Sequence, residues 1–375
     1  MRSAGAASWI LVLALAAPTH AFHTAPPKQE RRSADLWASL AEPALQRARA
    51  LREQALVHRA EAQRVLPSGW EQVCRRSLAL GRGGESHAAV RGRMRALRAL
   101  ARQALRKRAH LDNALARLER AAELAPRDPE VLYEVAYTLA QWEEPGPLWS
   151  CTTRRRDGEA LAAFERLRAL APMHRPRDVA HVMGNLLTRQ LRFRDAADAQ
   201  LRAIAFALDR EALAIDYYNL AELTMLAGEL EDAVVYYRSS MATGRSQREH
   251  LLPLWGLAVA LDRLGEHGEA IAEARRAVAG GGGRMAILRA PDVFFKPDHE
   301  IHYYEGLGHE ARAEMAEGLR RLQALHAAET SFQQFLAGAG ERGAFAADAA
   351  DNLRSLSERI EAARRELDKD ARSTR

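Results

Sequence analysis

A small residue returns along this chain at a spacing that few folds can accommodate. Ala114, Ala160, Ala196, Ala233 and Ala270 each sit just inside a segment that opens on an acidic or polar turn, at intervals of 46, 36, 37 and 37 residues. Twelve residues before the last three stand Gly184, Ala221 and Ala258, and twelve after the first two stand Pro126 and Pro172. Four residues after the alanine comes an aromatic in two units, Phe164 and Tyr237. Self-similarity at this period marks stacked supersecondary units, each burying its apolar face against its neighbours. Small residues let two helices approach, an aromatic fills the seam beside them, and proline ends the second helix. Composition agrees with helix. Ala, Leu and Arg dominate, and of the 55 basic residues only Lys28, Lys107, Lys296 and Lys369 are lysine. These are strong helix formers.

The pattern resembles the tetratricopeptide repeat (TPR), in which a tryptophan-leucine-glycine-tyrosine helix is followed by an alanine, an aromatic and a proline. The best units run from Tyr217-Tyr-Asn-Leu-Ala221 to Ala233-Val-Val-Tyr-Tyr237, and from Leu254-Trp-Gly-Leu-Ala258 through Gly265 to Ala270. The resemblance implies an all-α fold, an α-solenoid of antiparallel helix hairpins, with about five recognisable repeats over residues 95–282. Residues 22–86 read as a helical arm or cap, 87–283 as the array, and 284–375 as divergent repeats with a capping helix. One interval is longer than the rest, and its excess forms an insertion at 143–155 that carries Trp149, Cys151 and Arg154-Arg155-Arg156. The resemblance also implies a concave groove lined by the first helix of each hairpin. Its candidate partner-binding residues are Tyr133, Tyr137, His181, Asn185, Arg189, Tyr218, Glu222, Trp255 and Arg263.

The first 21 residues read as a secretory leader. Arg2 precedes the apolar run Trp9 to Ala17, Pro18 breaks it, and Thr19-His20-Ala21 offers a cleavage site. The expected location is therefore the periplasm or the exterior. In such a compartment Cys74 and Cys151, the two cysteines, could form a bridge or remain apart.

Charge is distributed unevenly. Residues 28–127 carry 22 Lys and Arg against 10 Asp and Glu, whereas 128–375 carry 32 against 39. Within the basic part, Arg91, Arg95, Arg98, Arg102 and Arg106 share one helical face. Such a face suits an anionic partner or is simply solvated. Export and the lack of interleaved aromatics argue against nucleic acid.

Catalytic patterns are missing. His299-Glu300-Ile301-His302, with His309 beyond, spaces its histidines three apart, whereas one helix face holding a metal needs four. Gly280 to Gly283 follows a helix rather than a strand, so it is no phosphate loop. The sequence therefore predicts no enzyme, no metal and no small-molecule cofactor. It predicts an exported scaffold that receives a segment of another envelope protein, with attachment to an anionic surface through residues 87–108 as the alternative.

Overall fold

A computed structural model describes residues 28–65, 70, 74, 87–147, 151–290, 293, 295–340 and 343–373 of the chain. The leader expected at 1–21 lies outside the described residues. The chain divides into two units, Met1–Gln46 and Arg47–Arg375. The described part of the first is the opening stretch of α1 (Lys28–Val65), which continues into the second.

In the second unit follow α2 (His87–Leu124), α3 (Pro129–Gln141), strands β1 (Glu143–Pro145) and β2 (Thr153–Arg155), α4 (Asp157–Leu170), α5 (Pro176–Arg189) and α6 (Phe193–Ala205). Then come α7 (Arg210–Leu226), α8 (Leu230–Thr243), α9 (Gln247–Arg263), α10 (His267–Gly280), a short 3-10 turn at Ala286–Arg289, α11 (Glu300–Glu314), α12 (Gly318–Ala339) and α13 (Ala346–Ser373). Consecutive helices pair as hairpins, α3 with α4 through to α11 with α12, and each hairpin stacks on the next; α13 packs on α12 and closes the stack. The protein is an all-α, TPR-like solenoid.

The periodic residues explain the stacking. All five alanines of the period are fully buried, as are Phe164 and Tyr237. At Gly184 a side chain would stand 3.5 Å from the Ala196 carbonyl and 3.8 Å from Ala199 Cβ, so α5 and α6 pack nearly backbone to backbone. At Gly256 it would land on the Tyr237 ring, which is why the seam between α8 and α9 takes glycine there.

Hairpin turns repeat as well. Leu191, Gly228 and Gly265 all adopt positive φ, at 58°, 87° and 85°. Behind each, the next amide donates to a carbonyl five residues back: Arg192 to Leu187, Glu229 to Thr224 and Glu266 to Leu261. This is the left-handed helix stop that glycine favours. Leucine in the first of the three costs about 1 kcal/mol. Asp128 caps α3 by accepting from the amides of Glu130 and Val131, and Asp209 caps α7 by accepting from that of Ala212.

The array starts earlier than the sequence suggests. Residues 47–65 of α1, read from the sequence as part of an arm or cap over 22–86, belong to the same unit as the repeats. Buried Ala48 clusters with Ala121, Ala55 with Ala114 and Leu118, and Ala62 with Leu111. The two helices therefore run antiparallel as a further hairpin. Alanines seven apart give α1 the small face this requires, and Arg59 pairs with Glu134 of α3 while standing 4.9 Å from the Tyr137 ring.

Polar groups fasten the far end. Asp262 accepts from Tyr303 Oη at 2.6 Å and from Asn352 Nδ2 at 2.7 Å, and lies 2.6 Å from His267 Nδ1. Glu310, which pairs with Arg359, faces His267 Nε2 at 3.6 Å. This ties α9, α10, α11 and α13 together. Hydrogen bonds to Asp262 and then Glu310 raise the His267 pKa to about 10, against its partial desolvation. A histidine held charged in the fold adds stability in full below its unfolded pKa near 6.5 and loses it as pH rises through about 10. The ring keeps 39% of its side chain in solvent, so the contribution is about 1 kcal/mol. Urea midpoints should therefore fall between pH 7 and 10 in the native chain and much less in His267→Gln. Equal slopes would contradict the assignment.

Candidate functional site

The insertion is a small built structure. β1 and β2 pair antiparallel, Glu143 opposite Arg155 and Pro145 opposite Thr153, and the Gly146 amide donates to Thr152 O at 2.8 Å. A disulfide joins Cys151 to Cys74, with Cα atoms 5.5 Å apart. The sulfurs lie in a buried cluster with Trp70, Leu97 and Ala104. Beside it the buried Glu143 carboxylate accepts from Trp70 N at 3.2 Å and from Lys107 Nζ at 3.2 Å, and faces Arg155 at 3.5 Å. Trp142 lies beneath Arg108, Arg154 and Arg156, each guanidinium within 6 Å of its ring, and donates from Nε1 to Asp112 at 2.7 Å. The hairpin thus clamps α2. On the opposite face of that helix, Arg91, Arg95, Arg98, Arg102 and Arg106 are all exposed.

The first helices of the middle hairpins form a recess together with the segment preceding α11. Asn185 of α5, Tyr218, Asn219 and Glu222 of α7, Leu252 of α9 and Phe295 line it. Tyr304 donates to both Glu222 oxygens, at 2.9 and 3.1 Å, and the Tyr218 and Tyr237 phenols act on the same carboxyl. Burial nevertheless pushes the Glu222 carboxyl above its ordinary range, with those phenols working in the other direction. Phe295 packs edge-on against Tyr304 at 4.9 Å, forming an aromatic wall. The recess offers amides for backbone hydrogen bonds, the Glu222 and Glu300 carboxyls, the Lys296 ammonium and apolar sides.

Of the residues expected in the groove, Asn185, Tyr218 and Glu222 meet here. His181 and Arg189 serve the stack instead. His181 Nδ1 lies 3.2 Å from the buried Asp216, and Arg189 pairs with Asp157 at 2.8 Å and donates to Ala140 O. Tyr137 stacks on Tyr133. Tyr133 is buried against Phe164 and His174 beneath Arg175, and burial pushes its phenol up to about 12.

Trp255 and Arg263 are not groove residues. Trp255 is buried because α11 crosses it at Gly308, where a side chain would stand 2.8 Å from the indole. Arg263 is drawn inward by Glu300 at 2.7 Å and stacks on Phe345 and Tyr303, with its side chain fully buried. Asn219, Leu252 and Phe295 carry no repeat signal, although a Phe294-Phe295 pair between Pro291 and Pro297 is an unusual apolar island.

His299 packs on Phe335, and His302 lies 3.3 Å from Glu305. No metal-holding group of three or more His, Cys, Asp or Glu occurs among the described residues, nor is any described helix long and apolar enough to cross a membrane.

No protein-family model and no curated protein matches the chain. Among solved structures it is similar to MamA from Desulfovibrio magneticus RS-1, at 20% identity over 51% of this chain and 96% of that one, with a TM-score of 0.38. It is similar to YrrB, described as a TPR protein with an unusual peptide-binding site, at 14% identity over 59% and 96%, with a TM-score of 0.39. It is also similar to PilF of Pseudomonas aeruginosa, at 17% identity over 66% and 93%, with a TM-score of 0.40. The hairpins themselves, rather than these distant likenesses, define the fold.

Proposed function

We propose that this chain is a non-catalytic protein-interaction scaffold of the cell envelope, exported by its leader, that receives an extended or helical segment of another protein in the recess between α5, α7 and α9. One observation carries the reading: Asn185, Asn219 and Glu222 converge with Leu252 and Phe295 on a single concave site. Amides that can bond a peptide backbone beside an apolar wall suit segment recognition. The same helices are held behind the recess by half-buried pairs such as Asp216 with Arg177, which favours a preformed site. The leader-like residues 1–21 support the location.

Filling the recess with Asn185→Arg and Asn219→Arg should weaken partner binding by about thirtyfold, the scale of a lost hot spot. Asp198→Arg and Val235→Arg, on exposed positions of the second helices, should leave it unchanged. Affinity of the co-purified envelope partner, remeasured with each variant, tests this. Undiminished binding by the recess variant with native helicity would show that the partner does not occupy the groove.

A further inference from the structure

The recess does not use the arginine face of α2, and that face has a construction of its own. From His87 to His110 the helix carries seven Arg and one Lys and no acid. Arg91, Arg95, Arg98, Arg102 and Arg106 form a strip about 22 Å long at 1.5 Å per residue. All five are exposed, and among the described residues none makes an ion pair or hydrogen bond. The contrast within the same helix is sharp. Arg108 pairs with Asp112 and Glu144, Arg117 donates to Asn113 O, and Arg120 pairs with Glu123. A solvated, incidental arginine surface would recruit the nearest carboxylates, as Arg108 and Arg120 do.

The strip is also rigidly presented. Leu97 and Ala104, on the other side of the helix, are buried with Trp70 and the Cys74–Cys151 bridge. Exposed Val90 and Leu105 accompany the arginines. Guanidiniums with long apolar stems and neighbouring aliphatics suit a boundary where phosphate meets hydrocarbon. Guanidinium also pairs phosphate bidentately, which ammonium cannot. Residues 87–108 contain no Phe, Tyr or Trp on which a base could stack or that could anchor in a protein pocket.

We propose that the arginine face of α2 docks the protein on an anionic phospholipid bilayer, with the solenoid projecting from it. A basic residue at such a surface is worth about fivefold in partition. The full chain should sediment with vesicles of equimolar phosphatidylglycerol and phosphatidylcholine, less so as salt rises, and not with phosphatidylcholine alone. Arg95→Glu with Arg98→Glu and Arg102→Glu should lower binding at least a hundredfold, with the melting profile of the parent. Arg127→Glu with Arg168→Glu and Arg202→Glu makes the same change in net charge at exposed positions elsewhere and should retain most of the binding. Three outcomes overturn the proposal: no binding of the parent to anionic vesicles, wild-type binding by the α2 variant, or equal loss in both variants. Binding of soluble polyglutamate without vesicle binding would likewise assign the face to an acidic protein and refute the lipid.

Discussion

Replacing Cys74 and Cys151 by alanine should lower the unfolding free energy by about 4 kcal/mol. The bridge closes a loop of 77 positions, and most of its stabilisation comes from restricting the unfolded chain, so the loss should appear without loss of helix in the native state. A local effect adds to it. Cys151 holds the β1–β2 hairpin over α2, where Glu143 satisfies Trp70 N and pairs with Lys107 and Arg155. Once the hairpin lifts, that cluster is open to water. Urea titration of the oxidised parent, the reduced parent and the double variant checks this. The reduced parent should resemble the variant, and coincidence of all three curves would show that the bridge contributes nothing.

Glu300→Ala should cost 3 to 5 kcal/mol, about as much as any single change in the array. Arg263 has a fully buried side chain whose one charged partner is Glu300, and its Nε and Nη1 have no hydrogen-bond partner among the described residues. Removing the carboxylate leaves a guanidinium against Phe345 and Tyr303 without its ion-pair partner. The cost therefore comes from the stranded charge rather than from the value of the pair. Arg263→Met combined with Glu300→Leu should recover most of the loss, since apolar replacements of a buried pair are often neutral. A double-mutant cycle on urea midpoints separates the two. If the double variant were as unstable as Glu300→Ala, the stranded-charge explanation would fail.

The fold was legible because its determinants are local and repeated. Small residues at 184, 221 and 258 and alanines at 196, 233 and 270 report close helix approach wherever the chain makes a hairpin, and Gly228 and Gly265 mark turns by the backbone they need. Ala48, Ala55 and Ala62 do the same for α1, but seven-residue spacing in an arginine-rich helix has no distinctive signature, so the array reads one helix short. The groove was less legible for a different reason. Counting positions from the repeat assumes that every first helix faces open space. α11 covers α9 through Gly308, which turns Trp255 into core, and Glu300 takes Arg263 with it. Phe295 enters the site from a segment outside the repeat pattern, and no periodicity can announce it. The disulfide depended on two distant segments meeting in space, which spacing along the chain does not encode.

In the proposed function the partner occupies the recess of α5, α7 and α9. Site-specific photocrosslinking in the native envelope fraction tests it most directly, with a benzophenone amino acid placed in turn at Asn185, Asn219, Asp198 and Val235. One discrete protein adduct is expected, shared by positions 185 and 219 and absent at 198 and 235. Adducts arising only from 198 and 235, or none from the recess while the protein still co-purifies with its partner, would contradict it.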